Sequence, residues 1–213
     1  MRRVRAGVSG GIVAAVLGLA GCASAPPEAG AELADDGTPC ISDADAYMDL
    51  DYWTFDQDPE IGVRSILDKP GCESAGADLI SEYHSALIEK GEPVSYRFGD
   101  QDVTFSENGE VGILYWHEGQ VRAFAGQTGR AIDLFHKSME VDDNKTGSGR
   151  HYALATIAFL EDDRDALLAE RAALAKLVPA DNLNLGVVDG LIACFGRPYK
   201  EAYGAPECDR RPR

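Results

Sequence analysis

An all-α body of stacked helical hairpins, interrupted by one small β-hairpin, is the architecture this 213-residue sequence predicts. Three observations point to it. Apolar residues recur at i, i+4 spacing over 72–90, and helical periodicity resumes from about 110 to 195. Sliding the chain on itself by 35 residues superposes like on like between them. Strict apolar–polar alternation occurs over 94–105, around Gly99-Asp100. Composition bounds the rest. With 45% apolar and 26% charged residues, collagen-like and wholly disordered classes are excluded. The net charge of −16, from 36 acids against 20 bases, repels phosphate backbones and argues against nucleic acid as a partner.

The N-terminus reads as an address. Arg2, Arg3 and Arg5 precede the apolar run Gly11 to Ala20, which is about half of the ~20 residues a membrane-spanning helix needs. The run ends in Leu19-Ala20-Gly21-Cys22, which resembles the lipobox of bacterial lipoproteins. That resemblance implies removal of residues 1–21 as a signal peptide and acylation of Cys22 with palmitate-type chains. Several chains give stable membrane anchoring, at about 0.8 kcal/mol per buried CH₂. Ala23, where an Asp would retain the protein at the inner membrane, resembles an outer-membrane address facing the periplasm. The competing reading is an ordinary signal peptide cut at Ala23-Ser24-Ala25. Residues 22–39, rich in Ala, Pro, Gly and acid, are expected to form a flexible tether, and 40–213 the folded domain.

With Cys22 lipidated, Cys40, Cys72, Cys194 and Cys208 remain, an even number in an oxidising compartment. Of three pairings, loop closure favours Cys40–Cys72 and Cys194–Cys208, each pinning one end of the domain. The absence of any C-x-x-C pair argues against redox chemistry, and ligand spacing against zinc.

Along the body, 43–56 is an aromatic-rich short helix or turn, and Lys69-Pro70-Gly71 is a stop. Residues 72–90 place Ala75, Leu79, Tyr83 and Leu87 on one stripe, closed by Gly91. The helical stretch that follows includes one helix over 163–177 and a last one over 184–195, with Asn182 or Asn184 as its cap.

The 35-residue slide superposes Ala123-Phe124 on Ala158-Phe159 and Ala131-Ile132 on Ala166-Leu167. These residues resemble the tetratricopeptide repeat, a helix–turn–helix unit. Gly119, Gly126, Ala131 and Phe135 fall at its small, small, small and bulky positions, Tyr115 stands where tryptophan is common, and Asp142-Asp143 end the unit. Arg122 departs from the usual aromatic, and no proline closes the unit. In the second copy Ala166 fits, while Leu154, Asp162 and Glu170 do not. The body from Trp53 onward is also similar to a group of small bacterial proteins of repeat architecture. Its clearest mark is 184–192 (NLGVVDGLI), followed by Arg197-Pro198-Tyr199.

The repeat resemblance implies that the first helix of each pair lines a concave binding face. This gives Ile113, Trp116, Gln120, Ala123 and Phe124 in one copy, and Ser148, His151, Ala155, Ala158 and Phe159 in the other. Trp116, Gln120 and His151 are the partner-binding candidates, with Trp116 and His151 at equivalent places. Catalytic motifs are weak. His136 and Glu140 lack the second histidine of a zinc helix, and Gly147-Ser148-Gly149 lacks a nucleophile-elbow frame. Gly126-Gln127-Thr128-Gly129 has no phosphate-binding lysine, and Glu140 with Asp142, Asp143 and Asn144 lacks a calcium-loop pattern. The expectation is therefore a lipid-anchored, non-enzymatic module that binds or scaffolds a protein partner, with no metal or cofactor. The alternative is an enzyme or small-ligand binder acting on envelope polymers beside 94–105, with Glu82, Glu107 or Glu118 as acid and base.

Overall fold

Aspartate caps open the body. Asp43 accepts the Ala46 N–H at the start of α1 (Ala44–Met48), and Asp51 accepts those of Trp53 and Thr54 at the start of α2 (Tyr52–Gln57). The computed structural model describes residues 32–98, 100–141 and 147–212. A third short helix, α3 (Arg64–Leu67), ends just before Lys69-Pro70-Gly71, and α4 (Glu73–Lys90) follows. Its apolar stripe buries Ala75, Leu79, Ile80 and Tyr83. Gly91 closes it at φ +64°, where a glycine pays no steric cost.

The alternating segment forms the expected antiparallel hairpin, β1 (Val94–Phe98) and β2 (Gln101–Ser106), with a bulge between Val94 and Ser95. Beyond it lie α5 (Gly112–Phe124), α6 (Thr128–Val141), α7 (Ser148–Leu160), α8 (Arg164–Leu174), α9 (Leu183–Ala193) and α10 (Tyr199–Gly204). Ten helices and one two-stranded sheet make up the described residues, so the protein is mostly helical with a small β-hairpin. Asn182 caps α9 as expected, accepting from Asn184 and Leu185. Pattern reading ended at 195 and missed α10, whose six residues are too few to show a period.

The pairs α5–α6 and α7–α8 match in backbone detail, with a register of 36 rather than the 35 read from sequence. Gly112 and Ser148, Phe124 and Leu160, and Thr128 and Arg164 bound corresponding helices, each pair 36 positions apart. The turns agree: Gly126 and Asp162 both have positive φ, at 74° and 60°. Gln127 N–H donates to Arg122 C=O, and Asp163 N–H to Ala158 C=O. The one-residue correction replaces Leu154 by Ala155 as the counterpart of Gly119. Small residues then stand at both positions where helices cross, and both are buried.

Two apolar cores meet at α5. Leu114 and Val121 of α5 join one core with Phe55, Ile66, Leu79 and Ile80; Ala123 joins the other with Phe135, Phe159, Leu167, Leu174 and Leu191. Disulfides Cys40–Cys72 and Cys194–Cys208 each staple one core, the pairing expected. By the chain-entropy model, loops of these lengths contribute about 4 and 3 kcal/mol. The segment expected as a tether, 22–39, includes residues that are packed. Ala34 is buried, Asp35 N–H donates to Pro70 C=O, and Leu33 pairs with Pro39, so the stretch from Leu33 to Pro39 packs on the body. Residues 1–31, which include the segment expected to be a signal peptide and Cys22, lie outside the described residues, as do Asp142, Asp143 and Asn144. At the other end, a Cβ on Gly186 or Gly190 would sit 2.7–2.8 Å from the backbone of Arg211, Arg210 or Cys208. The two glycines let the C-terminal segment lie directly on α9. That contact is the physical reason for the glycines in the 184–192 stretch.

Candidate functional site

α10 packs on part of the face expected to be concave. The Tyr199 and Tyr203 rings pack on Phe124 at 5.5 and 5.3 Å, and Tyr199 on Phe159 at 5.9 Å. Gln120 and Thr156, counterparts in register 36, face the buried Tyr199 hydroxyl without closing a hydrogen bond of good geometry. Burial holds the Tyr152 and Tyr199 hydroxyls well above the ordinary tyrosine range, so both are neutral. Ala123, Ala155, Ala158 and Phe159 are therefore core and not docking surface.

Among the clefts that α5 borders, two hold the predicted site residues Trp116 and Gln120. The first, about 360 Å³, is lined by Ile113, Trp116, Ser138, Met139, Ser148, Tyr152 and Asn184, among others. Trp116 is half-buried here, its ring 4.5 Å from that of Phe135 and 5.1 Å from that of Tyr152. Its counterpart in the corrected register is Tyr152, not His151. His151 turns to the other side of α7 and donates from Nδ1 to Glu170 of α8 at 2.6 Å, so the structure does not place the two residues as an equivalent pair.

The second cleft, about 310 Å³, holds a dyad that sequence reading missed. Asp56, only 1% exposed, accepts from His117 Nδ1 at 2.7 Å and from the Gln57 side-chain amide. Gln120 lines the same cleft, with Arg64, Tyr203 and an apolar wall of Val63, Leu67, Ile80, Val121 and Phe124. Asp56 on α2 and His117 on α5 are 61 positions apart, and only the tertiary fold brings them together. The one available signal was an aspartate on the apolar side of α2, next to Phe55.

The rival acid–base set does not assemble. Glu82 and Glu107 are exposed, and the open pocket beside β2 is lined by Glu107, Glu110, Lys137 and Glu140 with no buried carboxylate pair. Glu118 is buried but committed. It accepts from Arg122 at 3.0 and 3.1 Å and from Arg130 at 3.2 Å. Arg122, fully buried, also reaches Asp78 of α4 at 2.6 Å and Gln127 at 3.0 Å. This network locks α4, α5 and α6 together. His84 is likewise structural. Its Nε2 accepts the Val111 N–H at 2.8 Å, and burial, with Lys137 nearby, lowers its pKa to about 4. Among the described residues, no group of three or more His, Cys, Asp or Glu is placed to hold a metal ion. No described helix is long and apolar enough to cross a membrane. No family model, no curated protein and no solved structure matches this chain.

Proposed function

We propose that this protein is a lipid-anchored lipoprotein of the cell envelope, held at the outer membrane through Cys22, whose helical domain binds a protein partner at the Trp116 cleft. The observation that carries the binding half is that Trp116 lines an open cleft and is not sealed in either core. A rigid aromatic side chain of large area and few rotamers is an effective anchor for an incoming apolar group. Ile113, Met139 and Tyr152 supply the apolar contact around it, with Ser138, Ser148 and Asn184 as polar groups. The anchoring half rests on the lipobox resemblance at Leu19-Ala20-Gly21-Cys22.

We further read α5–α6 and α7–α8 as two copies of one helix–turn–helix unit of the tetratricopeptide type. The recurrence at 36 residues and the shared left-handed turn support that reading.

A photo-crosslinker placed at Ile113 in envelope preparations tests the partner claim. A discrete adduct is expected, lost in Trp116→Ala and kept in Trp53→Ala, with the unfolding midpoint of each variant measured in parallel. An adduct that survives Trp116→Ala in a folded variant overturns the claim. Intact mass of the detergent-extracted protein tests the anchor. Acyl mass on a chain beginning at Cys22 is expected, and an unmodified chain beginning elsewhere defeats it.

A further inference from the structure

Among the described residues, Arg97, Arg122, Arg130, Arg171, Arg197 and Arg211 pair with carboxylates, while Arg64, Arg150, Arg164 and Arg210 have no such pair. Of these four, Arg64 lines a cleft. It is held in place by neutral groups, with Nε donating to the Asp56 backbone carbonyl at 2.8 Å and Nη2 to the Gln57 side-chain carbonyl at 3.0 Å. Its side chain is therefore oriented while its charge has no carboxylate within ion-pair distance among the described residues. The Asp56 carboxylate does not supply one. One of its oxygens is taken by His117 and the other by Gln57.

This fixed guanidinium lines the 310 Å³ cleft whose wall is Val63, Leu67, Ile80, Val121 and Phe124, with His117 and Gln120 as further polar groups. Asp56 fixes the imidazole ring through Nδ1, so its Nε2 edge has one orientation, and the His117 side chain is 21% exposed. An apolar pocket of roughly 300 Å³ or more with a few convergent polar groups is the usual form of a small-molecule site. The planar guanidinium edge left over, Nη1 with the remaining Nη2 hydrogen, matches the two oxygens of a carboxylate.

We propose that this cleft binds a small organic monocarboxylate with an apolar body, the carboxylate on Arg64 beside His117 and the body against Val121, Phe124 and Ile80. The site shares no lining residue with the Trp116 cleft and stands whether or not that cleft takes a partner.

Titration of the protein with benzoate and 4-methylpentanoate, with benzamide as the neutral isostere, tests it by calorimetry and by side-chain NMR of His117 and Gln120. Saturable binding of one carboxylate per chain is expected, with shifts at both side chains and at least tenfold weaker binding of benzamide. Arg64→Gln is expected to lower carboxylate affinity at least tenfold, and Arg64→Lys to restore part of it. Arg64 is exposed, so both variants should fold, and their unfolding midpoints check this. Benzamide binding as tightly as benzoate, undiminished binding by Arg64→Gln, shifts confined to other residues, or no saturation by either carboxylate at 10-millimolar-order concentrations would each overturn the proposal.

Discussion

The two helix pairs α5–α6 and α7–α8 share a backbone and differ in what fills it. In register 36, Glu118 corresponds to Leu154, Arg122 to Ala158 and Arg130 to Ala166. Every charged member of the buried network in the first pair is thus an aliphatic residue in the second. The difference follows from their neighbours. α5 is flanked by α4, which offers Asp78 to Arg122 and Ser74 to Gln127, whereas α7 packs within the apolar core that includes α9. One helical frame tolerates either solution so long as every buried charge has partners.

Removing one member of the network should have the largest effect. Glu118→Ala leaves Arg122 buried with Asp78 as its remaining acidic partner, and a loss of about 3–5 kcal/mol in unfolding free energy is expected. Copying the second pair into the first, as Glu118→Leu with Arg122→Ala and Arg130→Ala, should recover most of that loss, since no buried charge is left on α5. Chemical denaturation of wild type and both variants measures this. A triple variant no more stable than Glu118→Ala would show that the charges specify this crossing and not merely fill it.

The helix starts differ as well. Neither α5 nor α7 has a side-chain cap, but the Val111 N–H at the head of α5 is accepted by His84 of α4. The folded-state pKa of His84, about 4, lies below its ordinary 6.5, so the unfolded chain takes up the proton first. The stability this residue contributes is present above pH 6.5 and is lost as pH falls from 6.5 toward 4. At about 1.4 kcal/mol per unit, the loss approaches about 3 kcal/mol. His84→Gln should flatten that part of the pH–stability curve relative to wild type. An unchanged slope would remove His84 from the account.

How far the sequence revealed this comparison depended on single residues. The helices, the hairpin and both disulfides were legible because periodicity, alternation and cysteine spacing are local signals. The register that relates the two helix pairs was not, because the marker that fixes it is a left-handed residue. In the first turn that residue is Gly126, which is easy to read; in the second it is Asp162, one of many aspartates, which does not match the small residue expected at that position. The shift by one moved Trp116's counterpart to His151. It also hid that Gly119 and Ala155 share a role. Asp56–His117 and α10 were illegible for another reason. The first depends on tertiary packing between distant segments, and the second is shorter than two helical turns.

The crossing residues give a smaller test. A Cβ on Gly119 would lie 2.8 and 2.9 Å from the ring edge of the fully buried Phe135. Gly119→Ala, which makes the first crossing look like the second, should therefore cost about 1–3 kcal/mol despite alanine's better helix propensity. A neutral or stabilising result would mean that Phe135 can repack and that the two crossings are equally close.

The turn gives the smallest and most direct test, because it changes the second pair toward the first at the one position where both backbones are left-handed. Asp162 is the one non-glycine residue with positive φ among the described residues, and that conformation puts its Cβ close to the following carbonyl. Asp162→Gly removes this cost, at the expense of a looser unfolded chain, so a net gain of about 0.5–1 kcal/mol is expected. Gly126→Asp, the reciprocal change, should lose a similar amount, since open space surrounds a Cβ at Gly126 and backbone conformation is the main term. Opposite signs from the reciprocal pair, read as shifts in denaturation midpoint, would place the two turns in one class. A loss of stability in both would mean that the Asp162 side chain makes its turn in a way that Gly126 does not.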